Sequence, residues 1–175
     1  YARGLSFDRI KRQWEEIDIL NETMAPFKIF KGIESDILSD GSLDYKDNEL
    51  EQFDFIVASI HSQFNMDREK MTQRIVRAIS HPSTCIIGHL TGRLLLERPG
   101  YELNLDIIFE EAALNNVSIE INAHPSRLDL DWRHVKTARD SGVLISINTD
   151  AHQLSGLDNL QYGIGVARKG WLQKS

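Results

Sequence analysis

The stretch FDFIVASIH, residues 53–61, is a nearly continuous apolar run that ends directly in a histidine. Such a run is typical of a strand buried on both faces, as in a parallel sheet covered by helices. A helical pattern at 67–80 follows, and a short apolar run at 85–88 then ends in a second histidine, His89. Strand, helix and strand therefore repeat with a polar side chain at each strand end. This pattern predicts an α/β fold whose reactive groups share one rim.

The rest of the chain extends this repeat in both directions. In chain order we predict an opening helix at 6–24, a strand at 27–33, a brief helix at 47–52, helices at 105–116 and 131–141 that precede strands at 117–121 and 143–147, and a last helix at 157–169. Five strands with intervening helices allow an open doubly wound sheet or part of a β/α barrel, and the pattern does not distinguish them. Because a complete barrel needs about 250 residues and no strand precedes the opening helix, we expect a barrel to lack its start.

Composition indicates one globular domain without a linker. The 175 residues are 41% hydrophobic and 26% charged, which is ordinary for a protein with a single buried core. The single cysteine, Cys85, excludes an internal disulfide, and no apolar stretch has the length of a membrane span or the flanks of a signal peptide. We therefore expect a cytoplasmic protein that does not bind membranes. The formal charge of −6 argues against a broad positive field for nucleic acid, so metal ions or a neighbouring domain would have to attract a polyanion.

The side chains at the strand ends are those that bind transition metals. They are Glu34, His61, His89, Asp150 and His152. Neutral imidazole and carboxylate oxygen together suit borderline divalent cations such as zinc, manganese and iron. The alternatives stay open at this stage: each of the strand-end histidines can be a hydrogen-bonded rim residue, and the aspartate can cap the segment that follows it. Two further acids, Asp36 and Asp44, are interpreted as solvated loop residues.

Two arginines are candidates for contacts to an anionic oxygen. Arg127 lies close to Asn122 in EINAHPSRL, residues 120–128, and Arg93 lies in the loop beyond His89. A planar guanidinium can form two parallel hydrogen bonds to phosphate or carboxylate. With so many acids in the chain, a structural role in salt bridges is the alternative for both.

Six motifs together resemble a known superfamily. They are GIESDILSDGSLDY, FDFIVASIHSQFNM, IIGHLTGRLL, EINAHPSRLDLDW, INTDAH and YGIGVARKGWL. They resemble the PHP domain of the polymerase and histidinol phosphatase superfamily, in particular the carboxyl-terminal PHP domain of bacterial family X DNA polymerases. The resemblance covers the whole chain and implies a distorted (β/α)7 TIM-like barrel, present here as a partial barrel with about five parallel strands. It implies that residues 1–175 are a single PHP domain without its N-terminal strands.

The resemblance also implies an activity and its cofactor. Members of the family hold up to three divalent metal ions at the strand ends, and the five candidate ligands named above occupy ligand positions of the family. The implied cofactor is Mn²⁺, with Zn²⁺ or Fe²⁺ as alternatives. The implied partners are DNA as substrate and an N-terminal polymerase domain in cis. Because the His-x-His pair of the first strands is absent, we expect this chain alone to be weakly active or inactive. His124 stands where the family more often has Asn.

The leading functional hypothesis is hydrolysis of DNA phosphodiesters, as in a 3′–5′ exonuclease that processes DNA ends in repair. Metal ions would activate water, and Arg93 and Arg127 would steady the nonbridging oxygens, so that no protein nucleophile is required. One alternative is a phosphomonoesterase for a small metabolite such as histidinol phosphate. A second alternative is a noncatalytic domain packed beside a polymerase.

Overall fold

The computed structural model describes residues 4–173 as an alternation of helices and parallel strands. In chain order the elements are α1 (Phe7–Thr23), β1 (Gly32–Asp36), α2 (Asp47–Leu50), β2 (Phe55–Ser59), α3 (Arg68–Ile79), β3 (Thr84–Ile87), α4 (Leu105–Leu114), β4 (Ser118–Asn122), α5 (Trp132–Asp140), β5 (Ile145–Asn148), a 3₁₀ helix (Leu154–Asn159) and α6 (Leu160–Lys169). The predicted bounds of α1 to α5 and of β2 to β5 agree with these within two residues. The alternation of the two element types is therefore confirmed.

The strands form one sheet in the order β1-β2-β3-β4-β5. Every neighbouring pair is parallel. Strands that are consecutive in the chain are thus neighbours in space, and their carboxyl ends lie at the same edge of the sheet. This arrangement confirms an α/β fold with five parallel strands, and it brings the loops after β1, β2 and β3 side by side.

Helix α3 illustrates why these segments are helical and how they pack. The Asp67 side chain caps the helix by accepting a hydrogen bond from the Lys70 amide at 2.9 Å, which satisfies one of the free N–H groups of the first turn. Met71, Ile75 and Ala78 recur at helical spacing and are fully buried. They belong to a core that also contains the largest buried side chains of the sheet and of α4. Within residues 4–173, no helix combines the length and the apolar composition required to cross a bilayer.

The position of the first strand differs from the prediction. The predicted strand at 27–33 is wrong for most of its length, because β1 spans Gly32–Asp36. Phe27 and Phe30 are 61% and 56% exposed, so these apolar residues do not belong to the core. Glu34 consequently lies at the centre of β1 rather than beyond its end, where it is paired in register with Val57 of β2.

Candidate metal centre

Three of the predicted ligands converge at the edge formed by β1, β2 and β3. Glu34 lies in β1, and His61 and His89 lie two residues beyond the ends of β2 and β3. The Oε1 atom of Glu34 is 3.5 Å from Nε2 of His61 and 3.2 Å from Nε2 of His89. The ligand atoms that the three side chains can offer all lie within 4.8 Å of one another. The parallel order of the strands thus produces a compact cluster of two nitrogens and one carboxylate.

The orientation of the His61 ring is set by Asp36. Nδ1 of His61 donates a hydrogen bond to Oδ1 of Asp36, which leaves Nε2 directed at Glu34. A carboxylate on the outer nitrogen of an imidazole is typical of metal-binding histidines, because it fixes the tautomer and increases ligand basicity. Burial alone would lower the pKa of His61, but Glu34 and Asp36 raise it above its usual value. The interpretation of Asp36 as a solvated loop acid is therefore wrong, since only 11% of its side chain is exposed.

The chemistry of His89 and Glu34 bears on whether the cluster fits a cation. The residue is 2% exposed, and its Nδ1 atom has no hydrogen-bond partner among the described residues. Buried polar atoms without a partner are rare because they lose the free energy of hydration. Burial opposes ionisation of Glu34, yet its hydrogen bonds with His61 and His89 lower its pKa well below the usual range. An ionised carboxylate beside the Nε2 atoms of two imidazoles is a donor set that fits a borderline divalent cation.

Asp150 lies across a cleft from Glu34. Both residues line this cleft, which has a volume of about 310 Å³ and which we call the metal-side cleft. Oδ2 of Asp150 accepts a hydrogen bond from Nδ2 of Asn122 at 3.0 Å and is 3.6 Å from Nε of Arg127. Asn122 and Asp150 line the metal-side cleft, and Arg127 contacts the same Asp150 carboxylate. The structure thus brings the predicted anion-binding pair, Asn122 and Arg127, to one predicted metal ligand.

The fifth predicted ligand, His152, lies outside the three-residue cluster. Its ring is 85% exposed, and its Nδ1 atom donates a hydrogen bond to the backbone oxygen of Asp150 at 2.8 Å. Together with His124 and Asp150 it lines a second cleft, of about 280 Å³. Asp150 lines both clefts, whereas Glu34 lines the metal-side cleft and His152 lines the second one.

The two predicted anion-binding arginines have different surroundings. Arg93 donates from Nε to the backbone oxygen of Arg127 at 2.9 Å, and its two terminal nitrogens contact Asp131 and the backbone oxygen of Leu128. These bonds hold the loop that carries Arg127. Arg127 itself faces Asp150 through its guanidinium. The predicted contact of Arg93 with a substrate oxygen remains a prediction, and its observed contacts are structural.

Glu120 is a buried residue of the candidate site that sequence reasoning did not select. The residue is 4% exposed, and its Oε2 atom accepts hydrogen bonds from the His89 amide at 2.7 Å and from Nδ2 of Asn122 at 3.2 Å. Its Oε1 atom accepts from Nδ2 of Asn148 at 2.8 Å. Burial raises the pKa of Glu120, although these hydrogen bonds oppose the shift. The sequence contains one indication of this role: Glu120 is two positions before Asn122 in β4, and alternate residues of a strand share a face.

Comparison with known proteins gives one extensive match. No model of a known protein family matches the chain. The DNA polymerase/3′-5′ exonuclease PolX of Bacillus subtilis (strain 168) is 45% identical over 172 residues, which is 98% of this chain and 30% of that protein. The chain is a relative of bacterial PolX. The resemblance to the PHP domain of family X DNA polymerases, which the motifs predicted, is therefore confirmed.

Other relatives of this PolX-related chain are named as phosphatases. A probable phosphatase of Thermoanaerobacter sp. (strain X514) is 28% identical over 78% of this chain, and one of Clostridium acetobutylicum is 30% identical over 75%. The chain spans 57% of each of these two proteins and 30% of the PolX relative. The Glu34, His61 and His89 cluster of the PolX-related chain is a possible site for a divalent metal ion.

Proposed function

We propose that this chain is the metal-dependent phosphoesterase domain of a PolX-type DNA polymerase and that it hydrolyses DNA phosphodiesters from the 3′ end. The convergence of Glu34, His61 and His89 within 4.8 Å is the observation that supports it best. The name of the Bacillus subtilis relative, DNA polymerase/3′-5′ exonuclease, supports DNA as the substrate. The proposal includes a polymerase domain in cis and a role in repair of DNA ends in the cytoplasm.

The architecture that we propose follows from the same relationship. The five parallel strands in sequential order are compatible with a distorted (β/α)7 TIM-like barrel of PHP type. In such a barrel, residues 1–175 would belong to a single domain with its active site at the carboxyl ends of the strands. The positions of the cluster and of Asp150 at this edge support that assignment.

The proposed roles divide the site residues between metal binding and substrate binding. Glu34, His61 and His89 would hold a divalent cation, with Mn²⁺ preferred over Zn²⁺ or Fe²⁺, and Asp150 and His152 would complete a site for up to three ions. A cation bound there would supply a Lewis acid that polarises the phosphate and activates water.

The remaining polar residues orient these groups and bind the substrate. Asp36 keeps the outer nitrogen of His61 protonated, so that the inner nitrogen is available as a ligand. Arg127, paired with Asp150, would bind a nonbridging oxygen of the phosphate. Glu120 fixes the His89 backbone and the Asn122 side chain in one network.

The direct test is replacement of the cluster residues in the full-length protein. We expect Glu34→Gln and His61→Asn to lower the Mn²⁺-dependent release of nucleotides from labelled single-stranded DNA by about 100-fold or more, because loss of a ligand disrupts the metal site. Glu110→Gln, on the exposed side of α4, is the matched control and should keep full activity. Removal of metal with EDTA should abolish the activity, and Mn²⁺ should restore it. Unchanged hydrolysis by Glu34→Gln would refute the proposal.

A second candidate is a phosphomonoesterase that acts on a small metabolite such as histidinol phosphate. The relatives named as probable phosphatases, at 28% and 30% identity, favour it. The values of kcat/KM for single-stranded DNA and for histidinol phosphate, measured on one preparation, distinguish the two activities. If neither substrate is hydrolysed by the full-length protein with Mn²⁺, the noncatalytic structural role replaces both.

A further inference from the structure

The second cleft contains a histidine that has no role in the function proposed above. His124 and His152 both line this cleft, and Asp150 lines it together with the metal-side cleft. A phosphate ester in the second cleft would therefore lie near both Asp150 and His124. The inference drawn here deepens the proposed phosphoesterase function and rests on it.

The two histidines differ in which ring nitrogen carries the proton. Nδ1 of His152 lies 2.8 Å from the backbone oxygen of Asp150, and a carbonyl oxygen can only accept, so this Nδ1 carries the proton. Nδ1 of His124 lies 3.2 Å from the backbone nitrogen of Ser126, and an amide N–H can only donate, so this Nδ1 carries the lone pair. In a neutral ring the free Nε2 atom is consequently a lone-pair donor to metal in His152 and an N–H group in His124.

His124 is also held in place by the residues that hold Asp150. Its backbone nitrogen donates to Oδ1 of Asn122 at 3.0 Å, and Nδ2 of the same asparagine donates to Oδ2 of Asp150 at 3.0 Å. Because Nδ1 of the ring is directed back to Ser126, the opposite edge of the ring with Nε2 is directed away from that loop. The ring is half-buried, which leaves this edge accessible from the cleft.

We propose that His124 donates a hydrogen bond from Nε2 to an oxygen of the phosphate ester bound against Asp150, and that it binds substrate rather than metal. A protonated nitrogen has no lone pair for a cation, whereas it is a good donor to an anionic oxygen. A donor is needed at this position because the Asp150 carboxylate repels a phosphate. Arg127, which already faces that carboxylate, offsets only part of the repulsion.

Two substitutions distinguish the contribution of Nδ1 of the His124 ring from that of Nε2. In His124→Asn, the amide oxygen can take the place of Nδ1 and accept from Ser126, but nothing replaces Nε2. In His124→Gln, the longer side chain can place an amide N–H near the position of Nε2. We expect His124→Asn to raise the KM for single-stranded DNA about tenfold with little change in kcat, the effect of losing one hydrogen bond to a charged oxygen. His124→Gln should stay within about threefold of the wild-type KM.

The measurements use the full-length protein with Mn²⁺, and far-UV circular dichroism checks that each variant is folded. Mn²⁺ affinity, measured by electron paramagnetic resonance of the free ion, should be equal in wild type, His124→Asn and His124→Gln. Weaker Mn²⁺ binding in both variants would identify a metal ligand and overturn the proposal. A KM for His124→Asn equal to that of the wild type would overturn it as well.

A readout without catalysis distinguishes failure of this inference from failure of the proposed function. Nitrogen-15 NMR of the His124 ring reports which nitrogen carries the proton, and calorimetry with inorganic phosphate reports the affinity for the anion. If the wild type hydrolyses no DNA, the proposed function fails, while proton placement on Nε2 and a phosphate affinity about tenfold lower in His124→Asn would still support the anion-binding role. A proton on Nδ1, or equal phosphate affinity in the two proteins, overturns it.

Discussion

Removal of the Arg74 guanidinium should destabilise the loops that follow β1 and β2, beside two residues of the metal centre. Arg74 lies in α3 and is 2% exposed. Its Nε atom donates to the backbone oxygen of Leu38 at 2.8 Å, its Nη1 atom donates to that of Ser62 at 3.0 Å, and its Nη2 atom donates to that of Ile37. One side chain therefore satisfies carbonyl groups from the loop after β1 and from the loop after β2.

The expected magnitude follows from the number of these bonds. Arg74→Met keeps the apolar part of the side chain and removes all three donors. A buried carbonyl that loses its partner costs about 1–3 kcal/mol, and water can reach part of the loops, so we expect the free energy of unfolding to fall by about 3–5 kcal/mol. Arg74→Lys retains a charge with fewer well-directed bonds and should cost about 1–3 kcal/mol. Because the bonded carbonyls follow Asp36 and His61 closely, Co²⁺ affinity should fall about tenfold in both variants.

Urea unfolding followed by circular dichroism measures the first effect, and the visible absorption of bound Co²⁺ measures the second. Arg77→Met is the matched control on the same helix, because the Arg77 side chain is 61% exposed and has its ion pair and its hydrogen bond with Asp40. It should cost less than about 1 kcal/mol. The reasoning is refuted if the free energy of unfolding of Arg74→Met lies within about 1 kcal/mol of the wild-type value and its Co²⁺ affinity is unchanged.

Three further predictions concern the core, an ion pair and a close contact. Phe109→Ala should lower the free energy of unfolding by about 3–5 kcal/mol, since Phe109 is fully buried; a loss below about 2 kcal/mol in urea would contradict this. Hydrogen bonds from Arg133 lower the pKa of Asp131 below its ordinary value of 3.8. The Asp131 carboxylate therefore stabilises the fold above pH 3.8, and this contribution is lost progressively as the pH falls towards the lowered pKa. Asp131→Asn should therefore cost about 1 kcal/mol at pH 7 and progressively less below pH 4, and a pH-independent difference would argue against this assignment. In Gly88→Ala the new Cβ would overlap Oγ of Ser59, and this clash should lower the free energy of unfolding by about 1–3 kcal/mol. Ser59→Ala should partly reverse the loss in a double-mutant cycle.

The agreement and the error in the predicted fold have the same origin. Helix α3 is predicted at 67–80 and observed at Arg68–Ile79, because burial of one face imposes a 3.6-residue period on the sequence. Strand β1 was misplaced because its own residues include Glu34 and Asp36, which are polar, while the exposed Phe27 and Phe30 precede it. An apolar residue predicts a strand only where it is buried, and burial is not visible in the local pattern.

The candidate site could likewise be predicted only in part. The sequence is sufficient to select His61 and His89, because the ends of β2 and β3 can be located from the pattern and parallel neighbours bring those ends to one edge. Glu34 was selected as the end of a misplaced strand and lies at the centre of β1. The sequence does not show that His152 is exposed and lies outside this three-residue cluster. Nor does the sequence identify Glu120, because a carboxylate in a strand is usually solvated. In the folded chain Glu120 is buried and accepts hydrogen bonds from three segments.

The chain sequence thus establishes the order of the elements, the parallel sheet and the polar identity of its rim, since period and polarity are local properties. The chemistry that each polar group can perform depends on partners that are distant in the chain. Asp36 is an outer partner of His61 only because β1 and β2 are neighbours. Burial and the direction of each hydrogen bond arise when separate segments pack together, and these two quantities decide which side chains are charged, which carry a proton and which can bind a cation.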